Sequence, residues 1–314
     1  MGEKEKKSGE AGERVAKNFL RLIGWKNLID GIDIKCFNPE KHQISEGPRK
    51  KHGLDFFTIY SCPLFTKYVN RVPVSMKYRN KYKSKPTNEL KKFIKDIDDA
   101  AECIKLSSVS NVRGFNRSEK KLTECIIWLA YEEDPKANII KEIDDFRTPE
   151  DTNYETLILI DNFRINFILG CLNFLKLNFP EKTYNYYYTR TSFNLEIDKR
   201  ISEGPILPVE YLASNILLIK MVDRDAKNPT LVIFSAEPFD EDDFKKFIGI
   251  ANTISNNWPT KILICFPDYH ELSHEQSINI VKSQFEDKDF ADKISALKFD
   301  FGDFRALEVE KVDY

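Results

Sequence analysis

Two stretches in the N-terminal part of the chain carry residue types suited to phosphodiester chemistry. The first is His52-Gly53-Leu54-Asp55-Phe56-Phe57-Thr58-Ile59-Tyr60, an apolar and aromatic run with one carboxylate at its mouth. The second is Arg71-Val72-Pro73-Val74-Ser75-Met76-Lys77-Tyr78-Arg79. Side chains alternate along a strand, so Val74 and Met76 take one face of the second stretch and Ser75 and Lys77 the other. Read as neighbouring strands, the two present Asp55 and Lys77 to a common site. Asp can hold a hard divalent cation, and Lys can orient a water or offset charge on a phosphate. A plainer reading stands beside this one, because any strand can carry an exposed Asp or Lys.

The elements that would position these residues follow from periodicity. Ser8 can cap a helix in which Val15, Ala16, Phe19, Leu20, Leu22 and Ile23 recur at helical spacing, ended by Gly24. Glu10 and Glu13 share one face of it. They either complement the helix dipole or lie beside a metal. Residues 25–37 read as a strand or strand and turn containing Asp30 and Asp33. Residues 38–52 read as a basic loop ending near Arg49-Lys50-Lys51. Strands at 53–60 and 71–79 follow. Lys77, Arg79, Lys81, Lys83 and Lys85 then place a cation at every second position. On an extended segment they would line one edge within reach of successive phosphates; otherwise they are a solvated loop.

Beyond Pro86 the pattern predicts a helix at 88–106, a buried strand at 122–131, a strand at 154–160 and an apolar helix at 162–178. The aromatic run 184–188 reads as extended. Strands are expected at 216–222, 230–235 and 261–266, with helices to about Ser255 from the Asp240 cluster and over 273–285. The tail, 297–314, is expected to add a last strand. His270-Glu271-Leu272-Ser273-His274 matches H-E-x-x-H, yet Ser273 with Gln276 forms a capping-box pattern. A helix starting at Ser273 would leave His270 in a loop, so the zinc reading is set aside.

Composition sets the outer bounds. The 314 residues are 41% hydrophobic and 31% charged, enough apolar material for one large domain or two ordinary ones. No run is long enough to span a membrane and no secretory signal opens the chain, so a cytoplasmic, non-membrane protein is expected. The six cysteines are scattered without a C-x-x-C pair and read as buried reduced thiols, neither disulfides nor a zinc site. The net charge of −2 hides an asymmetry. Residues 1–121 hold 27 Lys and Arg against 15 Asp and Glu; the remainder holds 21 against 35. A basic half that carries the metal-type residues suggests a polyanionic partner.

Helix with Glu13, strand, strand with Asp55, strand with Lys77, helix, buried strand: in this order the chain resembles the PD-(D/E)xK, restriction-endonuclease-like superfamily. The resemblance rests on Gly9-Glu10-Ala11-Gly12-Glu13, Gly53-Leu54-Asp55 and Val74-Ser75-Met76-Lys77. It implies an α/β fold, with a mixed central sheet flanked by helices over 1–165 and a C-terminal α/β extension over 166–314. It implies that Glu13 and Asp55 bind Mg²⁺ (or Mn²⁺) and that Lys77 is catalytic. Ser75 departs from the family, which has an acid or Gln there; Glu10 or Asp33 would then complete the shell, or the site is inactive. The Pro of the family's name is also missing before Asp55. The Gly-Glu opening, His-Gly-Leu-Asp and Ser-Met-Lys-Tyr together resemble, more narrowly, the nuclease subunit of two-gene anti-phage systems of the GAPS type. That implies a second protein encoded beside it.

The resulting expectation is a metal-dependent DNA nuclease of bacterial defence, with catalytic positions Glu13, Asp55, Ser75 and Lys77. Phosphates would meet Arg49, Lys50, Lys51, Arg79, Lys81, Lys83 and Lys85. The alternatives are an inert DNA-binding or assembly subunit and an RNA nuclease. The acidic extension would serve a homo-oligomer or the partner protein.

Overall fold

The structure is a computed structural model and describes residues 3–43, 47–79, 86–110, 120–143, 147, 149–191, 200–225 and 227–309. The chain forms two compact units. The first gathers Met1–Ile165, Pro208–Ala213 and Phe304–Tyr314; the second gathers Asn166–Leu207 and Ser214–Asp303. A single division of the sequence at 165 does not provide for the two segments that return to the first unit. No helix among the described residues is long and apolar enough to cross a membrane.

The first unit runs α1 (Glu3–Leu22), β1 (Ile29–Lys35), β2 (Lys51–Ser61), β3 (Tyr68–Arg79), α2 (Thr87–Leu106), β4 (Lys120–Tyr131) and β5 (Thr156–Asp161). Its five strands lie in chain order in one mixed sheet. β1, β2 and β3 are antiparallel neighbours, and β3, β4 and β5 are parallel. The short connection 62–67 suits an antiparallel turn, whereas the parallel step from β3 to β4 needs a crossover, which contains α2. Cys125–Ala130 of β4 are all within 1% of full burial, as a strand covered on both faces must be.

α1 and α2 cover opposite faces. Phe19 of α1 meets Trp128 edge-on, ring centroids 5.3 Å apart. Leu90, Ile94, Ile97 and Ala101 of α2 pack instead with Cys125, Ile127 and Leu129, which alternate with Trp128. α1 starts five residues before Ser8, because the Glu and Lys residues there are good helix formers. Gly12 marks where α1 crosses β3: a Cβ there would lie 2.7 Å from the Cβ of Tyr78.

The second unit contains most of α3 (Asn162–Asn178), then β6 (Thr183–Tyr187), β7 (Glu203–Gly204), β8 (Ile216–Val222), β9 (Thr230–Ser235), α4 (Glu241–Ser255), β10 (Lys261–Phe266), α5 (Glu271–Ser283), α6 (Lys288–Asp292) and β11 (Ile294–Lys298). Its sheet order is β11-β10-β9-β8-β6-β7. Asp240 caps α4 by accepting the backbone N–H groups of Asp242 and Asp243, which accounts for the acidic cluster.

Two expectations are corrected here. Among the described residues the last strand is Ile294–Lys298, and residues 304–308 form a 3₁₀ turn in the first unit; residues 310–314 of the expected strand lie outside the described residues. Asp300, Gly302 and Asp303 are poor strand formers and intervene. And α5 starts at Glu271, not Ser273. The Nδ1 of His274 accepts the N–H of His270, and its ring stacks on Phe239 with centroids 4.4 Å apart. The two histidines of the H-E-x-x-H match thus build a helix start.

Candidate active site

β2 and β3 pair from Ser61 opposite Val69 to Phe56 opposite Val74. At the next step a side chain replaces the backbone ladder: the N–H of Met76 donates to Oδ2 of Asp55 at 2.7 Å. Asp55 is thereby fastened to the residue that separates Ser75 from Lys77.

The strand on the other side of Asp55 is also irregular. Asp30 pairs with Phe56 and Ile32 with Leu54, while the intervening step, Gly31 opposite Asp55, is absent from the ladder. Gly31 has φ +55°, a region that favours glycine. Ile32 and Ile34 pack with Ala100, Cys103 and Ile104 of α2. Asp30 has the same parity but lines a cleft with α1. The alternation of β1 is interrupted at Gly31, and this turns Asp30 toward Glu13.

That cleft has a volume of about 280 Å³ and is lined by four carboxylates, Glu10, Glu13, Asp30 and Asp55, with Arg14 and Lys17. The two cations are already engaged: Lys17 is ion-paired with Asp30, and Arg14 with Glu308 at 2.9 Å. Among the described residues no cation pairs with Glu10, Glu13 or Asp55. Glu10, Glu13 and Asp55 share the cleft with these two cations, and their oxygens are a donor set suited to a hard divalent cation.

Of the four expected catalytic residues, Glu13 and Asp55 line the cleft; Ser75 and Lys77 do not. Ser75 and Lys77 pair in register with Ile127 and Leu129, so they face α2. The Lys77 ammonium stands 5.1 Å from the centroid of Phe93 on α2. It is tied to the cleft through the Met76 backbone. Asp33, considered as a further ligand, is paired with Lys51 at 2.5 Å and lies outside the cleft lining; Asp30 occupies the place expected for it. The sequence does hold a signal for Asp30: a glycine inside a strand pattern marks a bulge or interruption, after which the facing of earlier residues shifts.

The expected phosphate contacts divide. Arg49 pairs with Asp96 at 2.9 Å, Lys51 with Asp33, and Arg79 with Glu89 at 3.7 Å while also lying over Phe93. Lys50 is exposed. Lys81, Lys83 and Lys85 lie outside the described residues.

Residues 1–164, more than half of the chain, match the family model described as GAPS4 protein PD-(D/E)XK nuclease domain. A search of curated proteins and a search of solved structures each returned no match.

Proposed function

The chain belongs to the GAPS4 PD-(D/E)XK nuclease domain family, and from that premise we propose that it cleaves DNA in bacterial anti-phage defence, with the cleft of Glu13 and Asp55 as its divalent-metal site. Nucleases of this class use divalent metal ions. The observation that carries the reading is that Glu10, Glu13 and Asp55 line one cleft, none of them ion-paired among the described residues, with Asp55 held to the Ser75–Lys77 segment by the Met76 N–H. Such a donor set fits Mg²⁺ or Mn²⁺. Bound there, the ion would polarise a phosphoryl oxygen and make a nearby water more acidic.

Glu13 and Asp55 would hold the ion, and Glu10 stands beside them on α1. Ser75 offers only a neutral hydroxyl, so Glu10 from α1 would stand in for the acid that the family places on β3. Lys77 would offset charge on the scissile phosphate. Its ammonium stands over the ring of Phe93. Lys50, Arg79 and the basic run 81–85 would meet flanking phosphates and fix the register of the duplex. The second unit, part of the acidic remainder, would present the surface for another copy or for a protein encoded alongside.

The test uses the full-length protein with linear and circular duplex DNA and Mg²⁺ or Mn²⁺, alone and with the product of the neighbouring gene. Wild type should cleave, and Asp55→Ala and Lys77→Ala should not. A wild-type rate in either variant sinks the mechanism. Ser75 supports a second reading, an inert DNA-binding or assembly subunit; binding without cleavage under all these conditions would favour it. A single-stranded and a duplex RNA substrate run in parallel separate a ribonuclease from both.

A further inference from the structure

A second constellation lies in the first unit and plays no part in the cleft. Cys36 directly follows β1, His42 lies in the β1–β2 connection, His52 is on β2, and Cys103 is near the end of α2. All four are buried, none more than 4% exposed. One donor atom from each lies within 4.8 Å of all the others. We propose that Cys36, His42, His52 and Cys103 form a structural zinc site.

The spacing fits the ion. With Zn–S of about 2.3 Å and Zn–N of about 2.0–2.1 Å, a tetrahedral site has an S···N edge of about 3.6 Å. Nδ1 of His42 stands 3.4 Å from Sγ of Cys36 and 3.6 Å from Sγ of Cys103. Two thiolates and two imidazoles in this arrangement select zinc among the common ions. Four protein ligands leave no open position, which makes the site structural.

The surroundings prepare His42 as a ligand. Its Nε2 donates to Oε2 of Glu102 at 3.1 Å, with Oδ1 of Asp99 at 3.7 Å. Glu102 also receives Lys41 at 2.5 Å and the side-chain amide of Asn38. Glu102 is thus an acceptor ringed by Lys41, Asn38 and His42. A carboxylate accepts only, so the ring proton sits on Nε2 and the Nδ1 lone pair points at the two sulfurs. A carboxylate on the far ring nitrogen orients metal-bound histidines in just this way.

His52 supplies the independent sign. Its Nε2 is buried with no hydrogen-bond partner. Its ring stands edge-on to that of His42, centroids 5.1 Å apart. Arg49 can only donate, and its Nη1 lies 3.2 Å from Nδ1 of His52. The ring proton is therefore on Nε2, where nothing accepts it. Metal binding at Nε2 moves that proton to Nδ1, and the Nη1 group of Arg49 must then turn away while Nη2 keeps Asp96.

The charges and protons balance. Zn²⁺ with two thiolates and two neutral imidazoles has no net charge, which a buried site tolerates. Loading releases the two thiol protons to solvent. The site also has mechanical work to do: the β1–β2 connection, residues 36–50, is long for antiparallel neighbours, and the ligands would pin both of its ends and its middle to α2. His52 is three residues from Asp55 on β2, roughly 10 Å along the strand. The clip would thus hold the strand that carries the cleft, and it rests on geometry alone, independent of the nuclease reading.

Metal content of the full-length protein tests it. Protein produced with added zinc and purified reduced, without chelator, should hold about one zinc per chain by elemental mass spectrometry. Cys36→Ser and Cys103→Ser should lose it, and Cys265→Ser, a buried cysteine of the other unit, should keep it. Should the first two variants fail to fold, wild type exchanged into Co²⁺ should show the visible bands of a tetrahedral thiolate–imidazole ion. Reduced, folded wild-type protein without zinc or those bands overturns the proposal. So does zinc retained in both variants, or a Cys36–Cys103 disulfide in the protein as isolated.

Discussion

In the six-stranded sheet, β9 and β10 are sealed by Leu231, Val232, Ile233 and Phe234 and by Ile262, Leu263 and Ile264, all at 1% exposure or less. The five-stranded sheet buries His52, Arg71, Glu124 and Asp161 among its apolar residues. Every buried histidine, arginine or carboxylate among the described residues belongs to the first unit; the buried polar groups of the second are Asn166, Thr230, Ser235 and Ser255. Burying a charge without full compensation costs several kcal/mol, so a sheet does not accumulate such groups through packing alone. In the second unit the described strands β9 and β10 keep to the pattern of apolar burial. The first departs from local rules at identifiable residues: Gly31, Asp55 in place of a ladder bond, and Glu124. Such departures are expected where a fold carries chemistry.

The largest effect should come from the cleft. Asp55→Asn is nearly isosteric and leaves an acceptor for the Met76 N–H, but removes the charge. DNA cleavage should fall by at least about 100-fold, the loss seen when one preorganised electrostatic group is removed. Glu271→Gln and His274→Ala, in the H-E-x-x-H match of the second unit, should leave the rate within about twofold if they take no part. Equal losses in the two units would break the comparison.

Glu124 gives the next effect. Burial, acting against a hydrogen bond from Thr156, raises its pKa to about 7. The stability it permits is complete below the ordinary carboxylate range and is lost as pH rises through 7, because the buried carboxyl must then ionise. Glu124→Gln should therefore stabilise the protein at pH 8, on the order of 1–3 kcal/mol, and change little at pH 5. Urea unfolding at the two pH values measures this; an equal gain at both would contradict it.

The smallest effects come from one substitution made in each unit. Gly31→Ala forces an alanine to φ +55° with open space around it, at a cost of about 1 kcal/mol. Gly249→Ala, inside α4 and equally unobstructed, should gain up to about 1 kcal/mol through helix propensity. Thermal unfolding should show opposite signs. The same sign at both would remove the argument that the turn at Gly31 is a built feature.

Much of this fold is legible in sequence, and the two units differ again in how it is read. Strands β8, β9 and β10 end where their apolar runs end, since continuous burial leaves an unbroken signal. In the first unit the helices and central strands also follow from periodicity, and the pairing of Glu13 with Asp55 comes from the family resemblance. Asp30 is hidden because facing is inferred from alternation, and Gly31 interrupts it. Lys77 was expected to share the site of Asp55; its register partner Leu129 turns it toward α2. The meeting of Cys36, His42, His52 and Cys103 is not readable from spacing, since the four come from one loop and two elements far apart in the chain, without the paired spacing that marks a zinc motif.

The central claim is that Glu13 and Asp55 hold the catalytic metal. The most direct measurement is anomalous diffraction from crystals of the full-length protein soaked in Mn²⁺. A peak within about 2.5 Å of carboxylate oxygens from both Glu13 and Asp55 is the expected result. Mn²⁺ bound at other carboxylates, with no peak in this cleft, would contradict the account.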